Sequence, residues 1–327
     1  MKKVIIAIHG LGNKPPKDLL QNWWKEAILE GLSSNDIEKS IPAFEMVYWA
    51  DVLYEEPLNV LEKDKEGKCF LKEPYIKASK DFKVESHEFR QKVNDFVTKQ
   101  LTNILLNEDK SLNYSKLTDA ILKKYFKDLE VYYTEECVDS NNKRCKARDL
   151  IRDRLVKVIR KYKNHEIMII AHSMGSIVAF DVLNIILPDV KINTLLTIGS
   201  PLGLPIVVSK IVEEEKKESS DDFLVNTPPG VTSNWFNFAD LTDYVALDYK
   251  LGDDFSENQN GVLPIDILVN NNYEKDGKRN PHKSYGYLRA PELANVISDF
   301  IGDQKPGMAQ LLLARIRTLF KFSSRNP

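Results

Sequence analysis

The sequence predicts an α/β fold with a mostly parallel, doubly wound sheet. Short apolar runs rich in β-branched residues alternate with segments whose apolar residues recur at helical spacing, as expected for a sheet flanked by helices. Several runs are continuously apolar, which is typical of parallel strands buried on both faces. With 327 residues, the chain is long enough for a large core of this kind. Strands are predicted at residues 4–8, 44–49, 167–171, 194–198, 235–239 and 265–269.

Helices are predicted between most of these runs. The clearest helical patterns span residues 18–32, 147–162, 177–186 and 291–301. A helix between successive strands returns the chain to the same end of the sheet, so neighbouring strands are expected to be parallel. Residues 1–50 and 147–302 are therefore assigned to the α/β core.

Residues 51–146 interrupt the alternation and are predicted to form a mostly helical insertion that acts as a lid or cap. The prediction rests on two sets of apolar residues at helical spacing, Phe89, Val93, Phe96, Val97 and Ile104, and Leu117, Ile121, Leu122, Tyr125 and Leu129. Residues 303–327 are predicted to be a C-terminal tail with a basic amphipathic helix at 308–322. We expect that helix to pack on its own domain or on a second copy, with a peripheral membrane contact as the alternative.

Composition narrows the function classes. The formal net charge is −2, so no global field favours nucleic acid, and no apolar stretch approaches the ~20 residues of a membrane span. The N-terminal apolar run is too short for a signal peptide. The three cysteines, Cys69, Cys137 and Cys145, show no metal-ligand spacing and favour free thiols in a cytoplasmic protein. Gly10 and Gly12 lack the further glycine or lysine-serine pair of nucleotide-binding loops.

Residues 167–186 carry the most chemical information. A buried strand ends at Ala171, a helical pattern follows Gly175, and Ser173 lies on the turn between them. This is the context of a nucleophile elbow, G-x-S-x-G, in which small residues are needed because strand and helix come close. Ala171 stands at the first glycine position, which makes the match looser. A serine at a strand–helix junction is also a common helix N-cap, so the motif alone leaves both interpretations open.

The segment Ala-His-Ser-Met-Gly, residues 171–175, resembles the elbow of the lipase and esterase branch of the α/β-hydrolase superfamily. The resemblance extends to His-Gly-Leu-Gly at residues 9–12, which matches the family's oxyanion loop, and it covers the sheet core but not the insertion. It implies an α/β-hydrolase fold with Ser173 as nucleophile and no metal or organic cofactor. It also implies an oxyanion hole formed by the backbone N–H groups of Leu11 and Met174.

A neutral serine needs a base, and histidine is the expected one because its pKa lies near neutral pH. The chain contains five histidines. His172 adjoins the serine, so its side chain leaves the turn in another direction, and His165 precedes the strand and lies at the opposite sheet edge. His87 falls in the insertion, and His9 belongs to the loop that resembles the oxyanion loop. His282 follows the last predicted strand and fits the family order of serine, acid, histidine.

Two carboxylates compete for the role of the acid that orients His282. Asp240 lies at the end of the strand predicted at 235–239, and Asp243 lies three residues further on. Asp243 resembles the aspartate of an Asp-Pro-Val segment common in lipase-like relatives, with Tyr244 in place of proline, so Asp243 is favoured and Asp240 is the alternative. A Gly-Ser-Pro segment at 199–201 is a further family resemblance, and Ser200 is not expected to be catalytic.

These residues predict a serine hydrolase that cleaves a carboxylic ester of a small molecule or lipid through an acyl-enzyme on Ser173. An acyltransferase, or an amide or thioester hydrolase, would use the same apparatus. A non-catalytic protein that keeps the fold for partner binding is the remaining alternative. The acyl chain and the leaving group are not predicted, because they depend on the pocket next to the insertion.

Overall fold

The computed structural model describes residues 1–38, 40–79, 132–133, 136–138, 144–204, 207–208, 211, 225–246 and 249–302. Six parallel strands form its main sheet. They are β1 (Lys3–Ile8), β2 (Ala43–Val47), β5 (Glu166–His172), β6 (Ile192–Ile198), β8 (Val231–Ala239) and β10 (Pro264–Leu268). Three short pairs lie outside that sheet: β3 (Glu136–Val138) with β4 (Arg144–Lys146), β7 (Val225–Asn226) with β9 (Phe255–Ser256), and β11 (Glu274–Lys275) with β12 (Lys278–Arg279).

Helices cover both faces of the sheet. They are α1 (Lys17–Ser34), α2 (Ala147–Lys161), α3 (Met174–Asp181), α4 (Ser284–Leu288) and α5 (Pro291–Ile301). Alternate residues of β1 are fully buried on opposite sides, because successive side chains of a strand point to opposite faces. Ile6 and Ile8 pack with α2 and α3, whereas Ile5 and Ala7 pack with α1, α4 and α5. The sheet is therefore the middle layer of an α/β/α sandwich.

The strand order β10-β8-β6-β5-β1-β2 contains one reversal. The chain moves outward from β1 to β2 and then returns to β5 on the other side of β1. Loops at the carboxyl ends of β1 and β5 thus leave in opposite directions and open a crevice between them, which is where open α/β sheets place their sites. Residue 9 follows β1 and Ser173 follows β5, so both lie at this crevice.

All six strands predicted from apolar runs are present and are parallel, and helices occupy the predicted segments around 18–32, 147–162 and 291–301. The segment predicted as one helix to residue 186 is α3 followed by a π-helical turn at Val182–Ile186. One helix was missed. Residues 280–285, expected to be a loop, contain the start of α4, whose five residues are too few to show helical periodicity.

The insertion is described only in part. Residues 53–79, its first third, contain no α-helix in the structure and run as irregular chain after a 3₁₀ turn at Ala50–Val52. Its end forms the β3–β4 hairpin, which places Cys137 opposite Cys145 along the backbone. The residues on which the two predicted helices rest lie outside the described part, as does the predicted helix at 308–322. Within the described part, no helix is long and apolar enough to cross a membrane.

Residues 71–78 of the insertion lie against residues 273–289 of the core. The side chain of Glu73 accepts hydrogen bonds from Asn280 at 2.8 Å and Lys283 at 3.3 Å. The hydroxyl of Tyr273 donates to the carbonyl oxygen of Pro74 at 2.7 Å. This part of the insertion is therefore fastened to the loop between β12 and α4.

Candidate active site

Ser173 occupies a strained turn between β5 and α3. Its backbone has φ 54° and ψ −128°, a conformation that costs a non-glycine residue on the order of 1–3 kcal/mol. Backbone hydrogen bonds fix it: the N–H of Ser173 donates to the carbonyl oxygen of Ile198 at 3.1 Å, and its own carbonyl oxygen accepts from the N–H of Ser176 at 2.9 Å. The hydroxyl of Ser176 donates to the same oxygen at 2.6 Å. The turn is thus held by β6 and by the first turn of α3.

Glycines allow the close approach that this turn requires. A Cβ on Gly175 would lie 2.8 Å from the carbonyl oxygens of both Ile8 and His9, and a Cβ on Gly10 would lie 2.6 Å from the Cβ of Ser173. Real Cβ atoms do not approach other atoms so closely. Therefore β1, β5 and α3 can meet here only because residues 10 and 175 are glycines and have no Cβ. Ala171, where the elbow pattern has glycine, is fully buried in the core, which accommodates its methyl group.

His282 bridges Ser173 and Asp243. Its Nε2 lies 3.0 Å from the Oγ of Ser173, and its Nδ1 lies 2.9 and 3.0 Å from the two carboxylate oxygens of Asp243. Asp243 is buried, so its carboxylate must be paired. It accepts two further hydrogen bonds, from the N–H of Val245 at 2.9 Å and from the hydroxyl of Tyr287 at 2.7 Å. The result is a continuous hydrogen-bonded chain from carboxylate to imidazole to serine.

Asp240 is as deeply buried as Asp243, but its carboxylate bonds to groups other than His282. One of its oxygens accepts from the backbone N–H and the hydroxyl of Thr242, at 2.8 and 2.7 Å. The other accepts from the backbone N–H of Asn271 at 2.7 Å and from Arg279 at 3.3 Å. Asp240 therefore fastens the loops after β8 and β10 to each other. Of the two carboxylates that compete in the sequence, the structure brings Asp243 to His282.

His172 stabilises the backbone of the loop that carries His282. Its Nε2 lies 2.8 Å from the carbonyl oxygen of His282. A carbonyl can only accept, so the proton of His172 is on Nε2. Burial, followed by the nearby imidazole of His282, holds the pKa of His172 well below its usual value and keeps it neutral. A second bond, from the N–H of His282 to the side-chain oxygen of Asn280 at 3.1 Å, also holds this loop.

His9 plays a similar part in the loop after β1. The N–H of Trp49 donates to its Nε2 at 3.0 Å, so its proton is on Nδ1, which donates to the carbonyl oxygen of Gly10 at 2.8 Å. Its ring stacks on Trp49 with centroids 4.7 Å apart. Burial and, next, the charge of Lys14 hold the pKa of His9 well below its usual value. His9 is therefore a neutral structural residue, and it ties the loop to the chain after β2.

The two predicted oxyanion donors lie on either side of the crevice. Met174 is the first residue of α3, and Leu11 follows Gly10 in the loop after β1. The ammonium group of Lys14 bonds to the carbonyl oxygens of Leu11 and Gly12, which orients this loop. In the described part of the chain, neither the N–H of Leu11 nor that of Met174 has a hydrogen-bond acceptor. Both donors are thus available to a bound group.

Gly199 was missed as a site residue, although the segment containing it was noted. Its φ is +53°, and a Cβ there would lie 2.9 Å from Asp243 Oδ2 and 3.3 Å from His282 Nδ1. Glycine at 199 is therefore required both by its backbone conformation and by the carboxylate–imidazole contact. Ser200 next to it is buried, and its hydroxyl lies 2.7 Å from that of Ser176.

Of the two remaining histidines, the structure describes only one. His165 precedes β5 and thus lies at the opposite edge of the sheet, whereas His87 lies outside the described residues. No group of three or more histidine, cysteine, aspartate or glutamate side chains that could hold a metal ion occurs among the residues that the structure describes.

Comparisons with family models, with curated proteins and with solved structures found no match to this chain.

Proposed function

We propose that this chain is a serine hydrolase of the α/β-hydrolase type, similar to lipases and esterases, that cleaves a carboxylic ester. Ser173 is the nucleophile, His282 the general base and acid, and Asp243 the residue that orients His282. The backbone N–H groups of Leu11 and Met174 form the oxyanion hole. One observation supports the proposal most directly: Ser173 Oγ, the His282 imidazole and the Asp243 carboxylate are joined by contacts of 3.0 and 2.9 Å on a strained strand–helix turn.

The reaction follows from these positions. Ser173 Oγ attacks the ester carbonyl carbon while its proton passes to His282 Nε2, and the electron pair of the carbonyl π bond moves to the oxygen. Leu11 and Met174 donate hydrogen bonds to that oxyanion, each worth about 3–4 kcal/mol in hydrolases of this kind. The intermediate collapses, the ester C–O bond breaks, and the leaving alkoxide takes the proton from His282. Water then attacks the acyl-enzyme by the same steps.

The surroundings of His282 suit this role. Asp243 accepts the Nδ1–H, so that Nε2 presents a lone pair to Ser173. The imidazolium that forms during the reaction faces a buried carboxylate, which stabilises it. Neutral His172 lies close beside it, with ring centroids 4.8 Å apart, and adds no opposing charge.

Covalent labelling tests the proposal. A fluorophosphonate probe is expected to label the wild-type chain at residue 173 and to fail with Ser173→Ala. Ser200→Ala is the matched control, because Ser200 is a buried serine near the elbow that does not contact His282; it is expected to be labelled. Equal labelling of wild type and Ser173→Ala, or no labelling of either, would refute the proposal.

Hydrolysis of p-nitrophenyl esters of increasing acyl length then tests the bond type. An ester hydrolase is expected to turn over these esters, and Ser173→Ala is expected to lower that turnover about 10⁴–10⁶-fold. Formation of a new ester with an added alcohol, in preference to free acid, would point instead to an acyltransferase.

A further inference from the structure

Tyr287 lies next to the proposed triad acid but appears nowhere in the elbow or oxyanion motifs. It is the fourth residue of α4, and its side chain is fully buried. Its hydroxyl oxygen lies 2.7 Å from Asp243 Oδ2 and 3.0 Å from the backbone nitrogen of Asp240. The same hydroxyl thus contacts both of the aspartates that compete in the sequence.

The direction of these two bonds is fixed by what each partner can do. The backbone N–H of Asp240 can only donate, so it occupies a lone pair of the Tyr287 oxygen. The single hydroxyl proton is then left for Asp243, whose ionised carboxylate can only accept. Tyr287 is therefore a donor to Asp243, and a hydrogen bond of this kind to a charged group is among the stronger ones.

Packing holds the tyrosine ring in place. A Cβ on Gly199 would lie 3.0 Å from Cε2 of Tyr287 and 2.9 Å from Asp243 Oδ2. The ring, the carboxylate and the His282 imidazole thus surround the bare backbone of Gly199. Burial, and then the charges of Asp243 and Asp240, raise the pKa of Tyr287 well above its usual value, so the hydroxyl keeps its proton over the working pH range.

We propose that Tyr287 is a positioning residue for the triad acid: its hydroxyl holds the Asp243 carboxylate in the orientation that meets His282 Nδ1 and draws part of its negative charge away from the imidazole. This inference rests on the proposed hydrolase function. Among the described residues, the Tyr287 hydroxyl makes no hydrogen bond to Ser173 or to the His282 ring, and in this proposal it transfers no proton. It acts only through Asp243, by setting the orientation of the carboxylate and its attraction for the imidazolium.

Two measurable consequences follow from removing the hydroxyl. In Tyr287→Phe the carboxylate is less well oriented, so kcat falls by about 10-fold while KM stays near the wild-type value, as expected for one lost hydrogen bond to a charged group. The carboxylate also regains the charge that the hydroxyl had drawn away and holds the imidazolium more tightly. The acid limb of the kcat/KM profile therefore moves to higher pH.

Tyr285→Phe is the matched control. Tyr285 is a buried tyrosine on the same short helix, it packs edge-on against Trp23 and Tyr75, and within the described part it makes no hydrogen bond to a triad residue. We expect it to keep the wild-type kcat and pH profile. If Tyr287→Phe, folded by circular dichroism, behaves like Tyr285→Phe in both respects, the inference is overturned.

A second variant tests the role of the Tyr287 hydroxyl even if Tyr287→Phe does not fold. Site-specific replacement of Tyr287 by 3-fluorotyrosine keeps the hydroxyl and makes it a stronger donor, so the acid limb is expected to move to lower pH. A purely structural tyrosine would leave the limb unmoved, which would overturn the inference. These failures differ from failure of the proposed function, because Ser173 would still be labelled by fluorophosphonate; absence of that labelling overturns both.

Discussion

Replacing Asp243 with asparagine removes the charge that faces His282 while keeping the volume of the side chain. Both carboxylate oxygens lie within 3.0 Å of His282 Nδ1, one of them also accepts from the Val245 N–H, and the other accepts from the Tyr287 hydroxyl. An asparagine offers one oxygen and one NH₂ group to these three donors. Its oxygen accepts a hydrogen bond from either the Val245 N–H or the Tyr287 hydroxyl, and its NH₂ group is then turned toward His282.

The size of the effect follows from the tautomer. An NH₂ group donates to Nδ1, so the imidazole proton moves to Nε2, 3.0 Å from Ser173 Oγ. Nε2 then has no lone pair with which to accept the serine proton. The corresponding change in a studied Ser-His-Asp enzyme lowers kcat by about 10⁴-fold, which is about 5.5 kcal/mol of transition-state stabilisation. We expect Asp243→Asn to lose activity on that scale and to keep substrate binding.

Asp240→Asn is the matched control, because Asp240 is as deeply buried as Asp243 but fastens two loops. The change leaves an NH₂ group facing buried donors, so it is expected to lower the free energy of unfolding by about 3 kcal/mol. Activity per folded molecule should stay within about 10-fold of wild type, since the His282 contact is intact. Ester hydrolysis, together with urea unfolding of each variant, separates the two effects.

The assignment would be refuted by the reverse pattern. A folded Asp240→Asn variant that loses about 10⁴-fold in kcat, beside an Asp243→Asn variant that retains activity, would make Asp240 the triad acid. Near-normal activity of both variants would mean that no carboxylate orients His282.

Two further predictions concern packing and pH. Gly199→Ala is expected to lower kcat by more than about 10-fold, because its Cβ would lie 2.9 Å from Asp243 Oδ2. Gly261→Ala, at a similarly positive φ but with open space around it, should lose about 1 kcal/mol of stability and no activity, and equal activity of the two variants would contradict the packing argument. Burial raises the pKa of Asp266 from its usual value of 3.8 to about 7, so its stabilising contribution is full below pH 4 and is lost as pH rises through 7. The urea midpoint of wild type should therefore fall relative to that of Asp266→Asn between pH 5 and 8, and parallel curves would show that Asp266 is ionised throughout.

The sheet and its helices were predictable because each depends on local pattern. A continuous apolar run such as 4–8 or 167–171 is typical of a parallel strand buried on both faces, and both of these runs are strands of the parallel sheet. Helix α4 and the irregular start of the insertion were not predicted. Five residues are too few to show a 3.6-residue period, and the course of residues 53–79 depends on bonds to distant groups such as Asn280 and Lys283.

The sequence by itself predicted which serine and which histidine would meet at the candidate site. Ser173 was predicted from a strand–turn–helix pattern together with the resemblance to the lipase and esterase elbow. His282 was predicted from its place after the last strand and the family order, once the positions of the other four histidines had been weighed. Only the tertiary structure brought Asp243 rather than Asp240 to His282, because the two are three residues apart on one turn and differ only in the direction of their side chains. Tyr287 and Gly199 likewise required the fold. Each of them lies 44 residues from Asp243 in the chain, and no local pattern encodes a hydrogen bond or an excluded Cβ over such a separation.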